Sequence, residues 1–539
     1  MPSSEERQHP PCEVIIVGGG ISALIAAREL LAAGSRVDIY ERRQRRWLGG
    51  QCLDAFGGML FVNSPEQRRV GIRDSLQLAW EDWQSYAELG PESEHQRAWA
   101  RRYLERCLPD VRSWLIERGL RFLPIANWAE RSREGRGNRV PRFHLLWGCG
   151  PALVGSMLRE LAPYEGSRLQ IRCEHRVDQL IIESGRVLGV RGSGPSGEFE
   201  ARAERVVIAA GGWTGDLEKV RARWPRAEWG KPPQELLCGV WPEIDGHMHE
   251  VAAAAGAALS GLEHMWVYAA GVRHWEGDFP EHGLALIPPK SGLWLAADGA
   301  RFSPPLLAGY DTRAAVGRIT RSEHPWSWMV CNRDILAREI AIQGARFNPA
   351  FRERSWLALA GDLLRGNRAL AGELIERCED VVCARDLDTL AARMSALTPQ
   401  APINAAALAR DVGAYDAEIA RGARFFCDPQ LVSLRNVRAF LGDRLRTASF
   451  RPIAAGAESE LVAIRLRPVV RKSLGGIITD EHCRALRADH SALPGLYAIG
   501  EAAGFGGGGM NGKRTLEGTL LGGCVLTARV LAQSIRAGW

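Results

Sequence analysis

An unbroken apolar run, Val14-Ile-Ile-Val17, leads into three glycines, Gly18 to Gly20, and then into an apolar stretch of helical period from Ile21 to Leu31. The pattern predicts a buried strand, a tight turn and a helix lying back on the strand. Gly34 ends the helix, and Val37-Asp-Ile-Tyr40 predicts a second strand closing on Glu41, which makes a β-α-β unit of about thirty residues. Between about 70 and 120 the period is helical, with Leu76, Leu78, Ala79 and Trp83, then Leu104, Leu108 and Leu115. It shortens to strands at Arg168-Leu-Gln-Ile-Arg172, Gln179-Leu-Ile-Ile182 and Val187-Leu-Gly-Val190, which together predict a small antiparallel sheet. Arg205-Val-Val-Ile-Ala-Ala210 is a further buried strand. From about 265 to 455 the chain is richer in Trp, Pro and Arg, with helices over 369–378 and 404–422, and reads as an inserted domain. Gly495-Leu-Tyr-Ala-Ile-Gly500 returns to a buried strand, and a last helix is expected over about 518–535.

Composition narrows the class. A chain of 539 residues exceeds one ordinary core. Its 46% hydrophobic and 24% charged residues are those of a globular protein. The net charge of +6, from 69 basic and 63 acidic residues, does not point to nucleic acid. Twelve cysteines are scattered, with no Cys-x-x-Cys and a closest spacing at Cys378 and Cys383, so neither an iron–sulfur cluster nor a structural metal is expected. The first residues, MPSSEERQHPP, are polar, and no run reaches the roughly 18 apolar residues of a membrane span. A cytoplasmic protein is the expectation. The basic run Arg42-Arg-Gln-Arg-Arg46 reads as a solvated loop with one arginine near a cofactor. His247 and His249, at spacing i, i+2, do not share a helix face and do not read as metal ligands.

Three segments match the glycine pattern of dinucleotide binding, and context separates them. Gly192-x-Gly194-x-x-Gly197 lies between strands and contains Pro195, which makes it a hairpin turn. Gly504-x-Gly506-x-x-Gly509 leaves too little chain for another unit. Gly18-x-Gly20-x-x-Ala23 follows a strand, opens a helix, and has Glu41 at 23 residues beyond Gly18. Such glycines let backbone approach a pyrophosphate at a helix N-terminus, and the acid accepts from ribose hydroxyls. FAD is favoured over NAD by the other glycine segments. Gly49-Gly50-Gln51 and Phe56-Gly57-Gly58 follow the second strand, and Ala210-Gly211-Gly212 ends a strand. Gly500-Glu501 ends another, and Gly518-Thr519-Leu520 opens the last helix, where a helix N-terminus would stabilise negative charge on a reduced flavin. Ile21, Ser22, Ala23, Arg42 and Val177 complete the expected cofactor set. No histidine in the 40–60 region offers covalent attachment, so FAD is expected to be held non-covalently.

Further segments carry a family likeness: Pro141-Arg-Phe-His144 with Trp147-Gly148, Gly246-His247, Asp311-Thr-Arg313, Leu474-Gly-Gly-Ile477, and the stretch from Gly495 to Cys524. With the FAD segments, they make the chain resemble the fumarate reductase/3-ketosteroid dehydrogenase superfamily, in its branch of FAD-binding dehydrogenases. The resemblance spans nearly the whole chain. It implies an α/β fold: a Rossmann-like FAD-binding domain in two segments, 12–264 and 456–539, with an inserted α+β capping (substrate) domain at 265–455. It also implies hydride transfer between flavin N5 and a carbon near a carbonyl, with a proton handled on the neighbouring carbon.

Arg313 resembles the proton-donating arginine of fumarate reductases, although Arg301-Phe302 precedes it by about four residues more than in that family. Tyr268, in His264-Met-Trp-Val-Tyr268, falls near a substrate-binding histidine of those enzymes and is the second candidate catalytic residue. Tyr310 is a weaker third, and His144 lies near the flavin by resemblance, against a structural role. Lys472 stands where fumarate reductases have a histidine, and Thr515, beside Arg514, where they clamp a carboxylate with arginine. The C-terminal catalytic tyrosine segment of ketosteroid dehydrogenases is replaced by Phe505-Gly-Gly-Gly-Gly-Met510. Trp266, Trp275, Trp294, Trp326 and Trp328 favour an apolar substrate, with core packing the alternative for each. The expected protein is an FAD-dependent dehydrogenase of a C–C bond beside the carbonyl of a cyclic or apolar ketone. An external quinone, electron-transfer protein or oxygen would take its electrons. The alternatives are a reductase of unsaturated acids or ketones and a non-catalytic flavin-binding protein.

Overall fold

A computed structural model describes residues 12–132, 135–454 and 459–539. The polar leader and the boundary expected at 455/456 lie outside them. The strand Val14–Val17 sits inside a six-stranded sheet, buried on both faces. From one edge the order is Arg484–Leu486, Ala492–Ala498, Arg205–Ile208, Val14–Val17, Val37–Glu41 and Leu169–Cys173. All neighbours are parallel except the first pair. The helix Ile21–Ala32 is buried along most of its surface, and its alanines let it pack closely against the last helix, Thr519–Arg536, and against Cys149–Leu161. Gly34, at φ +102°, is the left-handed residue that stops it, and Ser35 N–H donates back to Leu30.

Arg168–Arg172 was expected in the small antiparallel sheet. The strand Leu169–Cys173 instead extends the parallel sheet beside Val37–Glu41, residue for residue from Val37 with Leu169. Length and composition do not distinguish an edge strand of one sheet from that of the next. The antiparallel sheet is built from Arg176–Glu183, Arg186–Gly194 and Gly197–Arg202, with Gly194 paired to Gly197 across the hairpin turn.

A second, eight-stranded sheet is organised around the long strand Leu461–Ser473. Met265–Arg273, Ser327–Asn332, Leu237–Cys238 and Val381–Ala384 all pair with it. This strand was expected with the C-terminal FAD segment. Its pairing and its apolar core, which runs from Trp213 to Val470, put it in the second sheet. A separate core holds the first strand, the first helix and the last helix.

Candidate active site

Between the carboxyl ends of the parallel strands and the second sheet lies a cavity of about 430 Å³. Its floor is the first strand-to-helix turn. Gly18, at φ +103°, brings its backbone against the next strand: a Cβ there would stand 2.7 Å from the Ala209 carbonyl oxygen. Gly20 is different, because a Cβ there would meet no protein atom closer than 3.9 Å. The helix it opens has no side-chain cap and no acidic residue in its first turn. Unpaired N–H groups and a missing side chain thus face the same space, the arrangement that accepts a pyrophosphate. Glu41 Oε2 accepts from Gly19 N–H at 2.6 Å and Oε1 from Arg43 N–H at 2.8 Å, with lone pairs left for ribose hydroxyls. Arg42 is paired with Asp245 at 3.0 Å. Arg43 lies between the rings of Trp47 and Trp241, at 4.1 and 4.0 Å.

The wall continues through Gly49, Gly50, Gln51, Phe56, Gly57, Gly58, Ala210, Gly211 and Gly212 to Gly518, Leu520 and Leu521. Gly518, at φ +99°, starts the last helix, again with neither side-chain cap nor acidic first turn. Two uncapped helix N-termini therefore meet one cavity, suited to a phosphate and to an electron-rich ring edge. Beside them Ser473 donates through N–H and Oγ to Glu501 Oε1, at 3.0 and 3.1 Å. Gln51 accepts from Lys472 Nζ and donates to Glu501 Oε2 at 3.4 Å. Burial holds the Lys472 ammonium below the usual lysine value, against the pull of Glu501.

Across the cavity stands a pair of acids, Glu130 buried and Glu517 half-buried. Glu517 Oε1 accepts from the Tyr268 hydroxyl and, at 3.2 Å, from Trp266 Nε1. Burial raises the Glu517 carboxyl above the usual range, and burial together with the Glu517 charge raises the Tyr268 phenol well above its own. Glu130 accepts from the Tyr86 hydroxyl and, at 2.7 Å, from Thr312 Oγ1. Burial first, and the Glu517 charge second, push it up to about 8. Both carboxyls line the cavity with Tyr268. The wall also carries Trp128, Leu145, Leu286, Ile287, Trp294 and Phe440, together with Gln343 and Arg471, which both act on the Tyr268 hydroxyl.

An FAD binding domain model matches residues 13–521. The chain belongs to the FAD binding domain family. It is 41% identical to a KsdD-like steroid dehydrogenase of Mycobacterium tuberculosis, over 96% of this chain and 94% of that protein. The fold is similar to that of a 3-ketosteroid Δ1-dehydrogenase from Sterolibacterium denitrificans, with a TM-score of 0.70, 17% identity and coverage of 98% and 99%. It is also similar to a flavocytochrome c3 fumarate reductase, with a TM-score of 0.66, 17% identity and coverage of 99% and 79%. The protein is an FAD-dependent oxidoreductase, and the paired helix starts, the open Gly20 cradle and the free lone pairs of Glu41 fit that cofactor.

Gly18, Gly20, Ile21, Ser22, Glu41, Arg42, Val177, Glu501 and Tyr268 line the cavity with the wall residues named above. Four expected site residues do not. Ala23 is wholly in the core. Gly500 lies between the first and last helices, where a Cβ would stand 2.4 Å from Ser22 Oγ and its N–H donates to Thr527 Oγ1 at 3.0 Å, and Thr519 Oγ1 donates to Asn511 at 2.7 Å. Arg313 is the fourth. It is buried away from the cavity, paired with Glu228 at 2.8 Å, donating to the Lys513 carbonyl, and stacked over Trp229. Arg514 is likewise taken, by Asp311 and Glu88, and Thr515 is bonded to Thr519, so no arginine clamp is built there. His144 is structural: Nε2 meets Ser64 Oγ and Nδ1 the Arg142 carbonyl, both at 2.7 Å, and burial lowers it to about 4. Of the five tryptophans only Trp294 lines the cavity.

Sequence reasoning did not single out Glu130 or Glu517 as site residues, and it weighed His247 and His249 only as metal ligands, although all four line the cavity. Glu517 stood in view as the residue before Gly518-Thr519. Nothing near Glu130 in the sequence marks it.

Proposed function

We propose that the protein dehydrogenates the C–C bond beside the carbonyl of an apolar cyclic ketone, with a 3-ketosteroid as the substrate class. The hydrogen bond from Tyr268 to half-buried Glu517, in a cavity wall that also carries Trp128, Leu286, Trp294 and Phe440, carries this reading. The identity to a KsdD-like steroid dehydrogenase supports the substrate class. Tyr268 oxygen takes the proton from the carbon next to the carbonyl as the phenol passes its own proton to Glu517. Trp266 Nε1 holds the Glu517 oxygen in place for that transfer. FAD, when bound, supplies the acceptor for the hydride leaving the adjacent carbon, so one C=C bond forms. The apolar wall excludes water from the proton relay. In this reading the expected FAD-contacting residues that line the cavity hold FAD without a covalent bond, and the cap is the sheet around Leu461–Ser473 with its helices. A quinone, an electron-transfer protein or oxygen completes the cycle. Twelve free cysteines suit a reducing, cytoplasmic setting. No helix among the described residues is long and apolar enough to cross a membrane.

The test is anaerobic mixing of the FAD-loaded protein with cyclic ketones, 3-ketosteroids and carboxylic acids while following flavin absorbance. A 3-ketosteroid bleaches the flavin, and Tyr268→Phe slows bleaching by roughly 10²–10⁴-fold without lowering FAD content. Bleaching by carboxylic acids alone, or an unimpaired Tyr268→Phe protein, would overturn the reading.

A further inference from the structure

The cap end of the cavity carries charge that the reaction does not use. Lys290, Glu339, Asp443, Arg446 and Thr447 line it, next to Tyr310 and Phe440. Lys290 Nζ is paired with Asp443, whose Oδ2 is buried with no hydrogen-bond partner among the described residues. Glu339 is occupied: it accepts from Ser291 N–H at 3.1 Å, Ser291 Oγ at 2.5 Å and Ala448 N–H at 2.6 Å. Arg446 lines the cavity from the short helix Leu441–Arg446, and no hydrogen bond or ion pair to the described residues ties its guanidinium down. Behind Tyr310 lies Arg131, only 7% exposed. It is sandwiched between the rings of Trp128 and Tyr310, at 4.4 and 4.5 Å. Its Nε and Nη2 have no partner among the described residues. Three cations thus converge on this end against two carboxyls, one of which is fully engaged by its own hydrogen bonds. They are close enough to act on each other: Arg131 and Arg446 both add to the burial that lowers Lys290, against the pull of Asp443.

A buried guanidinium left without an anion is costly unless a ligand supplies one. The same cavity wall carries Trp128, Leu286, Ile287, Trp294 and Phe440, enough apolar surface for a ring body, with Thr312, Gln343 and Arg471 as its polar points. We infer that Arg446 and Lys290 form a subsite for a carboxylate at the far end of the substrate, with Arg131 reinforcing their field. The inference rests on the ketone reading of the other end and makes the substrate a two-headed molecule: an apolar ring body with a ketone at one end and an acidic side chain at the other.

A 3-ketosteroid carboxylic acid and its methyl ester test this as a matched pair on the FAD-loaded protein. Wild-type protein favours the acid in kcat/KM by at least about tenfold, the scale of one charge-assisted hydrogen bond. Arg446→Met brings the acid-to-ester ratio close to one, and Arg446→Lys restores part of it. Lys290→Met lowers the same ratio and serves if the Arg446 variant fails to fold. Equal treatment of acid and ester by wild type, or a preference kept by both Met variants, overturns the subsite. Thermal unfolding with each compound separates the two proposals. If neither compound bleaches the flavin, but the acid raises the melting temperature of wild type more than that of Arg446→Met, the subsite stands and the dehydrogenation reading falls. Equal shifts overturn the subsite.

Discussion

Glu130 shows what a single buried carboxyl does to this protein. Its backbone is left-handed, at φ +50°, and its side chain is 3% exposed. Burial and the neighbouring Glu517 raise it from 4.5 to about 8. The folded protein therefore keeps a proton that the unfolded chain releases near its ordinary value. Stability from this group is complete below about pH 4.5 and is lost as pH rises through about 8. The full shift corresponds to at most about 5 kcal/mol, and relaxation of a buried pair reduces it. Glu130→Gln, which keeps an acceptor for Tyr86 and Thr312, should flatten the fall in thermal stability between those pH values. The variant should be the more stable protein above pH 8. A wild-type melting temperature that does not fall over this range would count against an uncharged Glu130. The same residue-level logic explains Arg313. A basic residue in a family-like position was legible, but its partner Glu228, sitting 85 residues away in the chain, was not.

Two helix starts define the site at the scale of elements. The turn before Ile21–Ala32 uses its glycines for different reasons, and these can be separated. Gly18→Ala places a Cβ at 2.7 Å from Ala209 oxygen and in a positive-φ conformation, so it should destabilise the cofactor-free protein by about 2 kcal/mol or more. Gly20→Ala meets no such clash, and its cost to the cofactor-free protein should stay within about 1 kcal/mol as a helix N-cap change. It should nevertheless weaken FAD binding by at least about tenfold, because the methyl enters the space where backbone must approach phosphate. Titration of the cofactor-free variants with FAD, alongside their melting curves, distinguishes the two; unchanged affinity in Gly20→Ala would contradict the cradle. The last helix depends on glycine for packing as well. A Cβ on Gly522 would lie 1.9 Å from the Tyr103 hydroxyl, so the helix start is pressed against the first core by the absence of a side chain.

The whole molecule is joined by the strand Leu461–Ser473. Its pairing holds the second sheet together, and its last residues, Lys472 and Ser473, reach Gln51 and Glu501 beside the cofactor segments. Asp380 secures this junction, wholly buried and accepting from Arg465 at 2.8 Å, Arg467 at 2.5 Å and Arg273 N–H at 2.8 Å. Asp380→Ala strands Arg465 and leaves Arg467 to Glu235 at 2.9 Å, and should lower stability by about 3 kcal/mol, read by chemical denaturation; a change under 1 kcal/mol would show that the network is not holding the sheet. By itself the sequence determined the parts whose information is local. Val14–Glu41 reads as strand, glycine turn, helix, strand and acid because period, glycine and capping chemistry all lie within neighbouring residues, which is enough to call a dinucleotide site; the glycine segments at 49–58, 210–212, 500–501 and 518–520 were needed to call FAD. The hairpin at Gly194–Gly197 and the last helix after Gly518 were legible for the same reason. Only the tertiary structure decided which sheet Leu169–Cys173 and Leu461–Ser473 join, because an apolar strand pattern carries no label for its partner. Only it could gather Tyr268 and Glu517, or Arg131, Lys290 and Arg446, around one cavity. Their pairing energies act across hundreds of residues of chain, where sequence spacing carries no distance.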